Sequence, residues 1–222
     1  MTSAPPLGSG SQNSASANPE DNFFLYVEGP RDREILRAWS RRMSPRVERK
    51  LEGRVVILGG RRPARAVEHL RAESRAGRRG RGLVVLDRDH HANAESPVPS
   101  EPGLEIFTWG RRHIESYVLV ASAIRRFLGS GPDASRVARL IEDYVPAAGD
   151  EEACRRVDAK RLLGRSGPFA QEAGSEISPA AIARCMRTDE LHTDVIRLYE
   201  RIREGLGEPE PLLEVVRRSR RV

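Results

Sequence analysis

The chain has 222 residues, and its 38 basic and 32 acidic side chains give a net charge of +6. This length fits one domain with extensions, or one domain with a small helical appendage. All of the basic residues except Lys50 and Lys160 are arginines, whose planar guanidinium group can donate two hydrogen bonds to one phosphate. The charge therefore favours a polyanionic partner, with nucleic acid as the first candidate.

Localisation is predicted from features that the sequence lacks. No stretch approaches the length of a membrane span, and the first residues lack the basic start and apolar core of a secretory signal. Cys154 and Cys185 form neither a metal-ligand spacing nor a disulfide framework. We therefore expect a cytoplasmic protein without membrane contact, and the sequence leaves its oligomeric state open.

Composition divides the chain into four segments. Residues 1–21 are rich in Ser, Pro, Gly, Asn and Ala, which predicts a disordered leader. Residues 22–130 have the pattern of an α/β core, and residues 131–210 are mostly helical. Residues 211–222 form a basic tail.

Short apolar runs predict the strands of one buried parallel sheet. With the carboxylates that end the first and third, they lie at 23–29, 55–58, 83–89 and 104–109. Helical spacing predicts helices at 31–43 and 64–76 and a long helix from 114 to 128, with a loop at 90–103. Alternation of strands and helices implies an α/β fold with a parallel sheet of about four strands and right-handed crossovers.

The C-terminal region is predicted to contain helices at about 134–145, 151–163, 178–187 and 190–206. Ser178 followed by Pro179 is a typical helix start, because serine caps the first turn and proline fits the first helical position.

Acidic residues follow three of the predicted strands. Glu28 ends the first strand and Asp32 lies one turn into the next helix; Asp87 and Asp89 end the third strand, and Glu115 follows the fourth. In an open α/β sheet, ligands gather at the carboxyl ends of the strands. Carboxylates that meet there repel each other unless a cation neutralises them, and Mg²⁺ prefers oxygen ligands.

These motifs resemble a known family. The runs 27–32 (VEGPRD) and 86–89 (LDRD) are similar to the topoisomerase–primase (TOPRIM) domain, with its strand-end Glu and Asp-x-Asp pair. The run 109–117 (WGRRHIESY) resembles the later acidic motif of TOPRIM nucleases of the overcoming-lysogenization-defect (OLD) type and their small stand-alone relatives. The run 157–163 (VDAKRLL) resembles the segment with the family's catalytic lysine, so the likeness covers roughly residues 23–165.

The resemblance implies a TOPRIM-like core and a two-metal nuclease that uses Mg²⁺ or Mn²⁺. The implied metal ligands are Glu28, Asp32, Asp87, Asp89 and Glu115. Glu28 and Lys160 are the implied catalytic residues, with the lysine stabilising charge on the scissile phosphate. Beside the acids lie arginines that could clamp backbone phosphates, namely Arg88, Arg111 and Arg112. Secondary candidates for contact with the metal or its water are His90, His91 and His113.

The sequence also departs from the family. OLD enzymes carry an ATPase module, whereas this chain has no phosphate-binding loop, so any ATPase would have to be a partner in trans. His113 stands where the fused enzymes tend to have a small hydroxyl residue. By analogy alone, the chain would be the effector of a multi-protein defence system.

Simpler interpretations stay open. Glu115 could only complement a helix dipole, Asp32 could be an exposed helix residue paired with an arginine, and Lys160 could lie on the solvent side of a helix. The leading interpretation of the whole chain is a metal-dependent nuclease, with DNA preferred over RNA as its substrate. The alternatives are a nuclease that processes structured RNA and a non-catalytic module that binds nucleic acid or a partner protein.

Overall fold

A computed structural model describes residues 23–78, 80–88, 100–129, 134–173 and 177–208. Its centre is a four-stranded parallel sheet made of β1 (Phe23–Val27), β2 (Val55–Ile57), β3 (Arg81–Leu86) and β4 (Leu104–Thr108). The spatial order of the strands is β2-β1-β3-β4. The predicted α/β class, with a parallel sheet of about four strands, is confirmed. The leader, Asp89, His90, His91 and the basic tail lie outside the described residues.

Strand pairing brings the strand ends to one edge of the sheet. Val27 lies opposite Val85 across β1 and β3, and Leu86 lies opposite Thr108 across β3 and β4. Because the strands are parallel, the residues that follow them emerge on the same side. β1 and β3 are central, which explains why they are almost continuously apolar.

Helices flank the sheet and make up the C-terminal region. In chain order they are α1 (Pro30–Met43), α2 (Pro45–Leu51), α3 (Pro63–Arg75), α4 (Ala121–Leu128), α5 (Ala134–Tyr144), α6 (Glu151–Arg156), α7 (Ala159–Leu163), α8 (Pro168–Ala173), α9 (Pro179–Cys185) and α10 (Thr193–Gly205). Several begin at proline, which suits the first helical turn. Within the described ranges, no helix combines the length and the apolar character needed to cross a membrane.

The two faces of the sheet pack against different partners. On one face, Leu25 and Val85 belong to a large core that also includes Trp39 of α1, Ile182 of α9 and Leu198 of α10. On the other face, side chains of β1 and β3 pack against α3 in a smaller core, made of Tyr26, Leu58, Ala66, Leu70, Val84 and Leu86. The C-terminal helices therefore share the main core with the sheet.

The predicted helix 114–128 is wrong as a continuous element. The chain forms a short 3₁₀ helix, Ile114–Tyr117, and then α4 after a break. All four residues of the 3₁₀ helix are buried, and the backbone N–H of Ile114 donates to a carboxylate oxygen of Asp87 (3.0 Å). This hydrogen bond ties the start of the 3₁₀ helix to the sheet edge, and the extended backbone of Val120 (φ −111°, ψ 114°) separates the 3₁₀ helix from α4.

The predicted helix 151–163 is also divided. α6 ends at Arg156, and the Asp158 side chain accepts a hydrogen bond from the Arg161 N–H (3.0 Å) to cap α7. Aspartate is a favoured N-cap residue, so it starts a new helix here. The new start changes the direction in which α7 presents Lys160. The predicted cap at Ser178 is present at the start of α9.

Candidate functional site

Acidic side chains from distant parts of the chain meet at the carboxyl edge of the sheet. We use the name acidic cluster for Glu28, Asp32, Asp87 and Glu115. The cationic side chain of Lys160 lies among them. Glu28 Oε1 accepts a hydrogen bond from the backbone N–H of Asp87 (2.8 Å). The charge of Asp87 also acts on both Asp32 and Glu115. The described members of the predicted ligand set thus share one site.

Asp87 is the centre of the acidic cluster, and only 4% of it is exposed. Its Oδ1 accepts from the Ile114 N–H (3.0 Å), and its Oδ2 accepts from Lys160 Nζ (2.5 Å). Its backbone carbonyl accepts from Arg61 Nη1 (2.5 Å). Bonds from three segments therefore hold Asp87 in place, and two of them reach its carboxylate.

Asp32 lies in the first turn of α1, where its Oδ2 accepts a hydrogen bond from the Gly29 N–H (2.8 Å). Burial, followed by repulsion from Asp87, raises the pKa of Asp32 to about 6, against the opposing effects of the Gly29 hydrogen bond and the Lys160 charge. Asp32 thus caps its helix, a role that the sequence analysis did not consider, and also faces the acidic cluster.

Glu115 is more deeply buried, with 1% of its surface exposed. Burial raises its pKa to about 7; the Lys160 charge opposes this shift, and the charges of Asp87 and Asp32 add to it. Its Oε2 has no hydrogen-bond partner among the described residues. A buried carboxylate oxygen without a partner is costly unless a proton or a cation compensates it.

The lysine expected from the 157–163 motif reaches the site from α7. Burial alone would lower the pKa of Lys160, but the hydrogen bond and charge of Asp87, with the charges of Glu115 and Asp32, raise it. Lys160 is therefore fully charged at neutral pH and compensates part of the negative charge of the acidic cluster.

The oxygen atoms of the acidic cluster are donors of the type that a divalent metal ion prefers. Among the described residues, no three acidic, histidine or cysteine side chains form a ready metal-binding group, and Lys160 and the Ile114 N–H take up the carboxylate oxygens of Asp87. The available donors are nevertheless all carboxylate oxygens, and Glu115 Oε2 is uncompensated. This chemistry fits Mg²⁺ or Mn²⁺.

Arg111 has a different position from the predicted one. Its Nε and Nη2 donate to the two carboxylate oxygens of Glu151 (3.1 and 2.8 Å), and its Nη1 donates to the carbonyl of Ser116 (3.0 Å). Its side chain is only 11% exposed. The guanidinium group is thus occupied inside the protein, and this arrangement does not offer it to a phosphate.

Arg111 belongs to a second polar group, which we name the arginine–tyrosine network: Arg111, Tyr117, Glu151, His192 and Asp194. Tyr117 Oη donates to Asp194 Oδ2 (2.6 Å) and accepts from the Arg111 N–H (2.9 Å). The Asp194 N–H donates to His192 Nδ1 (3.1 Å). The network joins the loop after β4 to the first residues of α6 and α10.

Gly110 lets this network form. A Cβ atom at position 110 would lie 2.6 Å from Asp194 Oδ2, which is closer than a carbon and an oxygen can approach. Arg112 makes a parallel connection, because its Nη1 lies 3.2 Å from Asp158 Oδ2 at the start of α7. The consecutive residues Arg111 and Arg112 therefore fix α6 and α7, and so help to place Lys160.

The other predicted basic and histidine candidates lie around the rim. Arg88 is exposed and donates to the carbonyl of Gly110 (3.0 Å), so its predicted phosphate contact stays a prediction. His113 is buried, and burial, followed by the charge of Lys160, lowers its pKa. His113 is thus mainly neutral at pH 7, within electrostatic reach of the acidic cluster.

Arg61 is a site residue that the sequence analysis did not single out. It follows β2, and its side chain reaches the Asp87 carbonyl. Gly59 and Gly60, with φ values of 73° and 105°, form the turn that directs the chain back towards the site. The signal was the glycine pair at a strand end on the same edge of the sheet.

No family model, no curated protein and no solved structure matches the chain. The TOPRIM resemblance therefore stays a prediction from the motifs.

Proposed function

We propose that the chain is a divalent-metal-dependent nuclease that hydrolyses phosphodiester bonds in nucleic acid, with DNA as the preferred substrate, at the acidic cluster. The observation that carries this proposal is the buried Glu115 carboxylate, which has an oxygen without a partner among the described residues and lies near Asp32 and Asp87. Carboxylates do not gather below the surface without a compensating positive charge. Lys160 supplies one such charge, and a divalent ion would supply the rest.

The residues that would hold Mg²⁺ or Mn²⁺ are Glu28, Asp32, Asp87 and Glu115, with Asp89 as a further ligand outside the described residues. When bound, two such ions activate a water molecule and stabilise the leaving oxygen of a phosphodiester. Position on the carboxyl edge supports this proposal, because ligands of open α/β sheets bind there.

The chain's own side chains would contribute binding, orientation and charge. Lys160, close to the carboxylates, would offset negative charge that develops on the phosphate. Glu28 holds the backbone of Asp87 in place by accepting a hydrogen bond from its N–H. Arg88, exposed at the rim, would bind a neighbouring backbone phosphate.

A non-catalytic module that binds nucleic acid is the second candidate. The Lys160–Asp87 ion pair favours it, because that pair already neutralises the central carboxylate. In this case the arginines would bind phosphates and the acidic cluster would be structural. Metal-dependent cleavage distinguishes the two candidates.

The test incubates the full chain with supercoiled DNA, single-stranded DNA and tRNA, in EDTA and with Mg²⁺ or Mn²⁺. Asp87→Asn keeps an oxygen that can accept from the Ile114 N–H, but it removes the charge that a metal needs. We expect metal-dependent cleavage that falls by roughly 10³-fold in this variant, with salt-sensitive binding retained.

Asp143→Asn is the matched control, because Asp143 is an exposed aspartate of α5. It should cleave like the unmodified chain. Full cleavage by Asp87→Asn, or cleavage that persists in EDTA, contradicts the proposal. Salt-sensitive binding without cleavage under any condition supports the binding module, and cleavage of tRNA alone identifies an RNA-processing enzyme.

A further inference from the structure

We propose that Lys160 is a built-in counter-ion of the acidic cluster, which occupies the place of a divalent cation at Asp87 Oδ2 and leaves it when the cation binds. This inference rests on the proposed function, since it assumes that the acidic cluster takes a cation. It adds a role for Lys160 in the metal-free protein, separate from any contact with a substrate.

The geometry of the ion pair supports displacement. Lys160 Nζ lies 2.5 Å from Asp87 Oδ2, yet the Lys160 side chain is 42% exposed while that of Asp87 is only 4% exposed. The ammonium group thus reaches a buried carboxylate from a stem that stays near solvent. A lysine side chain has four flexible carbons, so it can move its charge outwards without unfolding α7.

The charges around the pair explain why a counter-ion is needed. Lys160 interacts with Glu115 and Asp32 as well as with Asp87. Glu115 is almost completely buried, and its Oε2 lacks a hydrogen-bond partner among the described residues. A single positive charge therefore serves several carboxylates, and the compensation that it gives Glu115 includes no hydrogen bond to that oxygen.

A divalent ion and the lysine compete for the same oxygen. An ion that coordinates Asp87 Oδ2 would stand close to the ammonium group, and two positive charges a few ångströms apart repel strongly in a partly buried site. The lysine must therefore move away as the ion enters. Cation affinity is lowered by the free energy needed to break the Lys160–Asp87 pair.

The experiment measures thermal unfolding and Mg²⁺ binding of the full chain, starting from EDTA, so its readout does not depend on cleavage. Lys160→Met keeps the length of the side chain and removes its charge. We expect a lower melting temperature in EDTA, by about 5 °C. We also expect tighter Mg²⁺ binding, on the order of tenfold, and a larger gain in melting temperature on adding Mg²⁺.

Two further variants control for charge and for the fold. Lys50→Met is a matched control, because the Lys50 side chain has a similar exposure, 38%, and pairs with the Glu208 carboxylate (3.0 Å) in another part of the molecule. The Mg²⁺ affinity of this variant should equal that of the unmodified chain. Lys160→Arg keeps the charge and should keep Mg²⁺ affinity within about threefold.

The outcomes separate this inference from the proposed function. If Mg²⁺ stabilises the unmodified chain, Asp87→Asn removes that effect, and Lys160→Met binds no more tightly, the counter-ion role is wrong while the metal site stands. Tighter binding by Lys160→Met in a chain that never cleaves nucleic acid keeps the counter-ion role and rejects the nuclease. No stabilisation by Mg²⁺ or Mn²⁺ in any variant overturns both. A Lys160→Met chain that folds only with Mg²⁺ supports the inference, and one that stays unfolded with Mg²⁺ overturns it.

Discussion

The acidic cluster and the arginine–tyrosine network both include residues from the segment that follows β4. They differ in how their charged groups are paired by hydrogen bonds. In the network, Arg111 forms two hydrogen bonds with Glu151, and Tyr117 binds Asp194. In the acidic cluster, Glu115 has a buried oxygen without a partner among the described residues. Only Ser116 lies between Glu115 and Tyr117 in the chain, yet their side chains belong to groups with different chemistry.

The titration of two glutamates shows the same contrast. The hydrogen bond from Arg111 lowers the pKa of Glu151, against a smaller effect of burial, whereas burial raises that of Glu115 to about 7. Paired charges such as Glu151 hold elements together. A buried acid that stays uncompensated indicates a missing cation or proton, and this difference separates a structural network from a candidate ligand site.

Glu115→Gln gives the largest expected effect and tests the acidic cluster directly. Cleavage should fall by roughly 10³-fold, because a proposed metal ligand loses its charge. In EDTA above pH 7, the same variant should be more stable by about 3 kcal/mol, since the cost of a buried charge is removed. Measured cleavage rates and urea unfolding check the two parts. Lower stability in EDTA together with unchanged cleavage would place Glu115 in a structural role.

Arg111→Ala should destabilise the chain by about 2 kcal/mol, because the partly exposed Glu151 carboxylate and the carbonyl of Ser116 lose their donor. Chemical unfolding measures this loss. The matched control is Arg197→Ala, since Arg197 is 74% exposed and lies 3.7 Å from Asp194; we expect a change below about 0.5 kcal/mol. Equal effects of the two substitutions would show that the network adds no stability.

The pH dependence of the metal-free chain follows from the two raised carboxyl pKa values. Asp32 at about 6 and Glu115 at about 7 hold protons in the folded state at pH values where the unfolded chain has lost them. Their stabilising contribution is therefore complete below about pH 4 and is lost as the pH rises through 6 and 7. We expect urea unfolding in EDTA to show a loss of about 4 kcal/mol between pH 5 and 8 from these groups.

Two comparisons identify the groups responsible for that slope. Glu115→Gln should flatten its upper part, and saturating Mg²⁺ should reduce it, because an ion favours the charged carboxylates. Glu151→Gln should leave the slope between pH 5 and 8 unchanged, since the pKa of Glu151 is lowered and not raised. A slope that survives Glu115→Gln unaltered would assign the dependence to other groups.

Tyr117→Phe gives the smallest expected effect, a loss of about 1 kcal/mol. The hydroxyl accepts from the Arg111 N–H and donates to Asp194, so the variant removes two hydrogen bonds and keeps the ring. Tyr144→Phe is the control, because Tyr144 is 42% exposed. Thermal unfolding compares them, and equal melting temperatures would show that the Tyr117 hydroxyl is not needed by the network.

Local patterns in the sequence were enough to predict the sheet and the acidic residues that follow its strands. Continuous apolar runs identify β1 and β3 because a strand buried on both faces has no polar positions. Glu28 and Asp87 are predictable as neighbours, since both follow parallel strands that end in register. Asp32 also belongs to this group, because its place in the first turn of α1 depends on residues close to it in the chain.

Contacts between distant segments required the tertiary structure. The sequence predicts that Arg111 binds a phosphate, whereas in the structure Arg111 pairs with Glu151, which lies 40 residues away. Lys160 was identified by resemblance, but its contact with Asp87, 73 residues away, depends on the break between α6 and α7. The break at the extended Val120 between the 3₁₀ helix and α4 was likewise not visible in the apolar periodicity of residues 114–128.

The physical reason is the range of the interactions involved. Strand and helix patterns, caps and strand-end acids reflect interactions within a few residues, so the sequence by itself determined the sheet and the edge at which the site lies. The partner of each charge at that edge depends on how the helices of the C-terminal region pack against the sheet. Packing left Glu115 Oε2 without a partner among the described residues and brought Lys160 to Asp87, so the tertiary structure decided which polar group could bind a ligand.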